Sequence, residues 1–104
     1  MQSLFDDRVL VGQAQHLADG PHIATMLREA ADACGATLLD LHVHRFGEGG
    51  GITGVAVLAE SHITIHTWPE HAYAAIDIFM CGLCDPRDAL PVLRAALRPG
   101  TVEV

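Results

Sequence analysis

The hydrophobic pattern changes period several times along the chain. Residues 8–14, RVLVGQA, hold an apolar run that predicts a first strand, weakened by Gly12. In DGPHIATMLREAADACGA, residues Ile23, Met26, Leu27, Ala30 and Ala31 recur at helical spacing and predict a helix with one buried stripe. Asp19 or Gly20 can cap that helix, Pro21 suits its first turn, and Gly35 suits its stop. From residue 37 the period falls to two. In TLLDLHVHRF (37–46), Leu39, Leu41 and Val43 face one way and Asp40, His42 and His44 the other. A glycine-rich loop, GEGGG (47–51), leads to a near-continuous apolar strand, ITGVAVLA (52–59). HITIHTW (62–68) alternates again, PEHA turns the chain, and YAAIDIFM (73–80) reads as a further strand. DPRDALPVLRAALRPG predicts a second helix with Asp85 as N-cap, Pro86 in the first turn and Gly100 at the C-terminal stop. Pro91 is tolerated only if the regular helix starts close to it. TVEV (101–104) closes as a last short strand.

The order strand, helix, four strands, helix, strand predicts an α+β fold: a two-layer α/β sandwich, mostly antiparallel sheet, with two helices on one face. The other sheet face is left to water or to a second copy of the chain. The apolar content favours the second copy, hence a homodimer.

Composition narrows the function. The 104 residues suffice for a single domain, 1–104, and half of them are hydrophobic, so a packed core is expected. Charged residues make up 18%, which argues against disorder. The net charge of −7, with six scattered basic residues, argues against nucleic-acid binding. No apolar run reaches membrane-spanning length, and MQSLFDDRVL has no secretory-signal pattern, so no membrane partner and a cytoplasmic location are expected. Cys34, Cys81 and Cys84 are an odd count, which suggests free thiols.

Two groups of residues carry candidate chemistry. His42, His44, His62 and His66 with the Cys81-x-x-Cys84 pair have metal-ligand spacings, but each short motif is weak alone, and no metal is assigned. The segment LAESHITIHTWPE (58–70) is sharper. A serine hydroxyl can attack the carbonyl before it in a strained turn, and Ser61 falls at a tight strand-to-strand corner after Glu60. His66 can then serve in proton transfer. Strict alternation puts Ser61 and His66 on opposite faces, so a shared role needs a bend or bulge between them. From spacing alone, Glu60 and Ser61 as turn residues beside solvent-facing histidines is the more economical reading.

LAESHITIHTWPEHAYAAIDIFMCG (58–82) resembles the processing-site segment of the prokaryotic S-adenosylmethionine decarboxylase proenzymes, and CGATLLDLHVHRF (34–46) resembles the same family's Gly-Ala-Thr strand ending in His-x-Phe. Together they span 38 of the 104 residues. The resemblance implies self-cleavage between Glu60 and Ser61. Ser61 Oγ attacks the Glu60 carbonyl to give an ester, and His66 assists removal of the serine α-proton. The products are a β chain, 1–60, and an α chain, 61–104, whose first residue becomes a pyruvoyl cofactor. That group forms a Schiff base with the amine of S-adenosylmethionine and draws off the electrons left by carbon dioxide. The product supplies aminopropyl groups for spermidine synthesis.

By the same resemblance Cys81 is the catalytic acid, Phe46 stacks on the adenine, Glu70 meets the ribose hydroxyls, and Thr53 stands where relatives carry a serine that supports processing. The family also implies a homodimer, each site drawing residues from two protomers. The glycine-rich loop, the first strand without a Gly-x-His start, and Met80 beside Cys81 depart from the pattern. They leave open the same chemistry on ornithine or arginine, and Thr53 leaves open a non-processing regulatory homologue.

Overall fold

The computed structural model describes residues 4–104, with side chains from Asp6 onward. The N-terminal signal-pattern reading rests partly on residues 1–3, which lie outside the described residues. Six strands, β1 (Leu4–Gly12), β2 (Leu38–Arg45), β3 (Ile52–Leu58), β4 (Ser61–Trp68), β5 (Tyr73–Cys81) and β6 (Thr101–Glu103), form one sheet in the order β2-β3-β4-β5-β1-β6. Every neighbouring pair is antiparallel. Two helices, α1 (Gly20–Ala33) and α2 (Leu90–Leu97), cover one face. The expected two-layer α+β sandwich is therefore the observed fold.

The period-two pattern places the core. Ile52, Gly54, Ala56 and Leu58 of β3 are buried, as are Ile63, Ile65 and Thr67 of β4, Ala74, Ile76, Ile78 and Met80 of β5, and Val9 and Val11 of β1. Against them α1 sets Ile23, Met26, Leu27, Ala30 and Ala31, the stripe expected from its spacing, and α2 sets Leu93 and Leu97. Each such large aliphatic side chain, fully removed from water, contributes on the order of 1.5–3 kcal/mol. Gly54 lets α1 approach the sheet: a Cβ there would lie 3.0 Å from both Ile65 Cγ2 and Leu27 Cδ1. The buried hydroxyl of Thr67 is satisfied twice, donating to Leu17 O at 2.7 Å and accepting from the Ile52 N–H at 2.8 Å.

The helix signals act mostly as expected. Asp19 is the N-cap of α1, its carboxylate accepting the His22 N–H at 3.1 Å, and Gly35 (φ 74°) takes the left-handed turn after the helix. Asp85 caps a short 3-10 turn, Pro86–Ala89, and regular helix begins at Leu90, so Pro91 falls in the first turn, where its missing N–H costs nothing. Three details differ. β1 starts at Leu4, earlier than its apolar run. Gly100 is not the stop of α2; Arg98 takes the left-handed conformation (φ 44°), and the Gly100 N–H bonds Gly12 O instead. Leu39 is 64% exposed, because the β2–β3 register shifts between Leu38 and Asp40 and drops it out of the alternation. Among the described residues no helix is long and apolar enough to cross a membrane.

Candidate active site

β3 and β4 are joined by only two residues, Ala59 and Glu60, between the paired Leu58 and Ser61. Two-residue hairpin turns favour a positive φ at their first position, usually on Gly or Asn. Here the positive φ, 61°, falls on the second, Glu60. A non-glycine residue held there stores roughly 1–3 kcal/mol. The strained residue is the one whose carbonyl precedes Ser61. Ser61 is thus at the tight corner expected of it.

The register of β4 with β5 sets His62 against Phe79, which brings the end of β5 beside this turn. Ser61 Oγ donates to Cys81 Sγ at 3.7 Å, and the Cys81 thiol donates to Glu60 Oε2 at 3.6 Å. Glu60, Ser61 and Cys81 therefore form one hydrogen-bonded group at one end of the sheet. Ser61 and Cys81 are half-buried.

The other four residues of interest lie at the opposite end. Thr53 pairs with His66 across β3 and β4, and Thr53 Oγ1 and His66 Nδ1 share a hydrogen bond of 3.1 Å. Phe46, 60% exposed, follows β2, with its ring 4.5 Å edge-on to that of His44. Glu70 is exposed in the one-turn helix Pro69–His71, next to Trp68, whose ring lies 5.7 Å from that of Tyr73. The pairing of β3 with β4 is unbroken from Thr53–His66 to Leu58–Ser61. The bend or bulge that would bring Ser61 and His66 together in one chain is absent. At about 3.4 Å per residue, the five-residue step separates them by roughly 17 Å.

Between the two ends, the uncovered sheet face carries a charged group that the sequence did not single out. Asp77 of β5 lies 3.5 Å from His62 Nε2, Phe79 stacks on His62 at 5.4 Å, and Arg8 pairs with Asp77 in register. Asp6 shares a hydrogen bond with Asp77, which raises its carboxyl above the ordinary range, helped by desolvation. These residues come from three strands, so only the register brings them together. Arg8, Asp77, Thr64, His66 and Tyr73 line a depression of about 510 Å³ on this face.

The metal-spaced residues do not converge. His42 bonds Asp40 at 2.8 Å on the edge strand, which holds the Asp40 carboxyl below its ordinary range. Cys84 lies past the end of β5. Among the described residues no group of three or more His, Cys, Asp or Glu side chains could hold a metal ion. Cys34, buried at the end of α1, is pushed up to about 11 by burial and by the nearby negative charge of Asp88.

Known proteins resemble this chain over nearly its whole length. The family model described as S-adenosylmethionine decarboxylase matches residues 9–104, so the likeness extends well beyond the two motif segments. The S-adenosylmethionine decarboxylase proenzyme of Methanococcus vannielii is 53% identical over 93 residues, covering 88% of this chain and 75% of that protein. That of Pyrobaculum aerophilum is 47% identical over 89 residues, covering 85% and 71%. The crystal structure of the adenosylmethionine decarboxylase from Aquifex aeolicus superposes with a TM-score of 0.79 at 30% identity, covering 96% of this chain and 83% of that one. With a strained Glu60–Ser61 corner beside Cys81 on such a sheet, the chain belongs to the S-adenosylmethionine decarboxylase family.

Proposed function

We propose that the chain is a self-cleaving decarboxylase of S-adenosylmethionine, split between Glu60 and Ser61 into chains of residues 1–60 and 61–104, with a pyruvoyl group at residue 61. One observation carries the reading: the only peptide between β3 and β4 that joins a left-handed non-glycine residue to a serine lies within reach of a thiol. Attack of Ser61 Oγ on the Glu60 carbonyl carbon breaks the C–N bond, forms a C–O bond and relieves the constraint at Glu60. Elimination across the Ser61 Cα–Cβ bond then releases the Glu60 carboxylate, and water replaces the nitrogen left on residue 61, which departs as ammonia. A proton must leave Ser61 Cα in that step, and His66 is the acceptor.

The residues present fit a pyruvoyl group. Residue 61 opens a paired strand, is half-buried, and faces one thiol and one carboxylate rather than several charges. That group supplies a carbonyl that takes up the electrons left when carbon dioxide departs. Cys81, whose thiol accepts from the Ser61 hydroxyl, holds the proton that returns to the substrate α-carbon. Phe46 offers a ring face to the adenine, Glu70 a carboxylate to the ribose hydroxyls, and the Thr53 hydroxyl orients His66.

His66 lies roughly 17 Å along β4 from Ser61 in the same chain, and Thr53, Phe46 and Glu70 sit at the His66 end of the sheet, so they serve the Ser61 of another. Two copies stacked by their uncovered sheet faces, run end to end about a two-fold axis, set the Ser61 end of one against the His66 end of its partner. The enzyme is then a cytoplasmic homodimer with two shared sites, feeding aminopropyl transfer to spermidine.

Release of carbon dioxide from carboxyl-labelled S-adenosylmethionine, with ornithine and arginine in parallel, tests the substrate. Wild-type protein releases it from S-adenosylmethionine, Ser61→Ala releases none, and processed Cys81→Ala is slower by about 100-fold or more. Release from ornithine or arginine alone would reassign the pocket.

A further inference from the structure

Cys81 is followed three residues later by a second thiol, Cys84, which has no part in the mechanism above. Cys81, Gly82, Leu83 and Cys84 form a turn closed by the Cys84 N–H to Cys81 O bond at 3.5 Å, with Gly82 at φ 71°. Such a turn holds its first and last Cα within about 7 Å, and disulfides span about 4.4–6.8 Å between Cα atoms. Both thiols are half-exposed, and Leu83 between them projects fully into solvent. Cys84 rests at the margin of the core near Cys34, and Gly82 supplies the backbone freedom for it to swing toward Cys81. Cys34 is the competing partner. It is 5% exposed and stays protonated well into the alkaline range, so it is the slower of the two to react.

We infer that Cys81 and Cys84 close a reversible disulfide when the enzyme meets a peroxide, and that this switches decarboxylation off. The inference rests on Cys81 as proton donor. A peroxide transfers one oxygen to the Cys81 sulfur, giving a sulfenic acid, and hydrogen peroxide leaves as water. The Cys84 sulfur attacks; the S–S bond forms, the S–O bond breaks, and a second water leaves. The two thiols give up two electrons and two protons, and the peroxide takes them. The S–H that returns the proton to the substrate is then gone. A dithiol reductant reverses the exchange.

Self-cleavage makes the test sharp, because Cys34 falls in the 1–60 chain and both other thiols in the 61–104 chain. Processed enzyme is treated with hydrogen peroxide, then with dithiothreitol, and followed by intact mass, non-reducing electrophoresis and decarboxylation. The 61–104 chain is expected to lose two hydrogens, and activity to fall about 100-fold, both restored by the dithiol. Cys84→Ser keeps its basal activity, but excess peroxide carries its Cys81 past the sulfenic state, and the dithiol restores little. A covalent link between the two chains would show that Cys34 captures one of the two thiols and would overturn the inference. So would wild-type inactivation no more reversible than that of Cys84→Ser. If the disulfide forms while activity is unchanged, the switch fails together with Cys81 as donor. If no disulfide forms yet Cys81→Ala is inactive, the donor role survives and only the switch is lost.

Discussion

Glu60 is the residue on which the proposed chemistry turns, and its backbone makes a prediction independent of activity. In an uncleavable Ser61→Ala background, Glu60→Gly removes the left-handed strain. It should stabilise the precursor by roughly 0.5–1 kcal/mol, net of the extra freedom of the unfolded glycine. That raises the thermal midpoint by a few degrees. An unchanged or lower midpoint would mean the turn holds no strain. Cys34 makes a second prediction. Its thiol is raised in the folded state to about 11. Its contribution to stability is therefore complete below the ordinary thiol range and is lost as pH rises through that value. At pH 8 an alkylating reagent should modify Cys81 well before Cys34. Equal labelling would mean Cys34 is not shielded. At this scale Ser61 and its corner were legible in the sequence, because a Glu-Ser pair between two apolar strands leaves the chain nowhere else to turn. The conformation of Glu60 was not, since glutamate carries no signal for a left-handed backbone.

At the scale of elements, Gly54 marks where α1 meets the sheet. Gly54→Ala adds a methyl 3.0 Å from Leu27 Cδ1 and Ile65 Cγ2, tighter than ordinary contact. A loss of about 1–3 kcal/mol is expected, read as a lower denaturation midpoint with unchanged cooperativity. No loss would mean α1 sits further from β3. The strands were readable wherever one face is buried, because burial enforces a period of two. Leu39 escaped because a register shift adds a residue without changing composition. The stop of α2 escaped because Arg98, not the available glycine, takes the left-handed position.

For the whole molecule, the separation of Ser61 from His66 governs the outcome. Alternation along β4 sets them on opposite faces, and the unbroken register leaves no bulge to join them in one chain. But Ser61, opening the strand, turns its Oγ to Cys81, which alternates with Asp77 and Phe79 on the uncovered face. No period within one chain can encode a contact between two, so the proposed shared site lay beyond the pattern of residues. Co-expression of Ser61→Ala with His66→Ala examines it. Neither variant alone is expected to cleave, but in a mixed dimer of the proposed form the intact His66 of one would face the intact Ser61 of the other. The His66→Ala chain should then be cleaved only when both are present. Failure of the mixture to cleave, with mixed dimers present, would place His66 in its own chain's site.

The intact mass of the purified protein after several hours at neutral pH bears most directly on self-cleavage. Two chains are expected, divided between Glu60 and Ser61, with the 61–104 chain carrying oxygen in place of its amino nitrogen. A single chain of full mass, unaltered by Ser61→Ala, would contradict the pyruvoyl enzyme at its root.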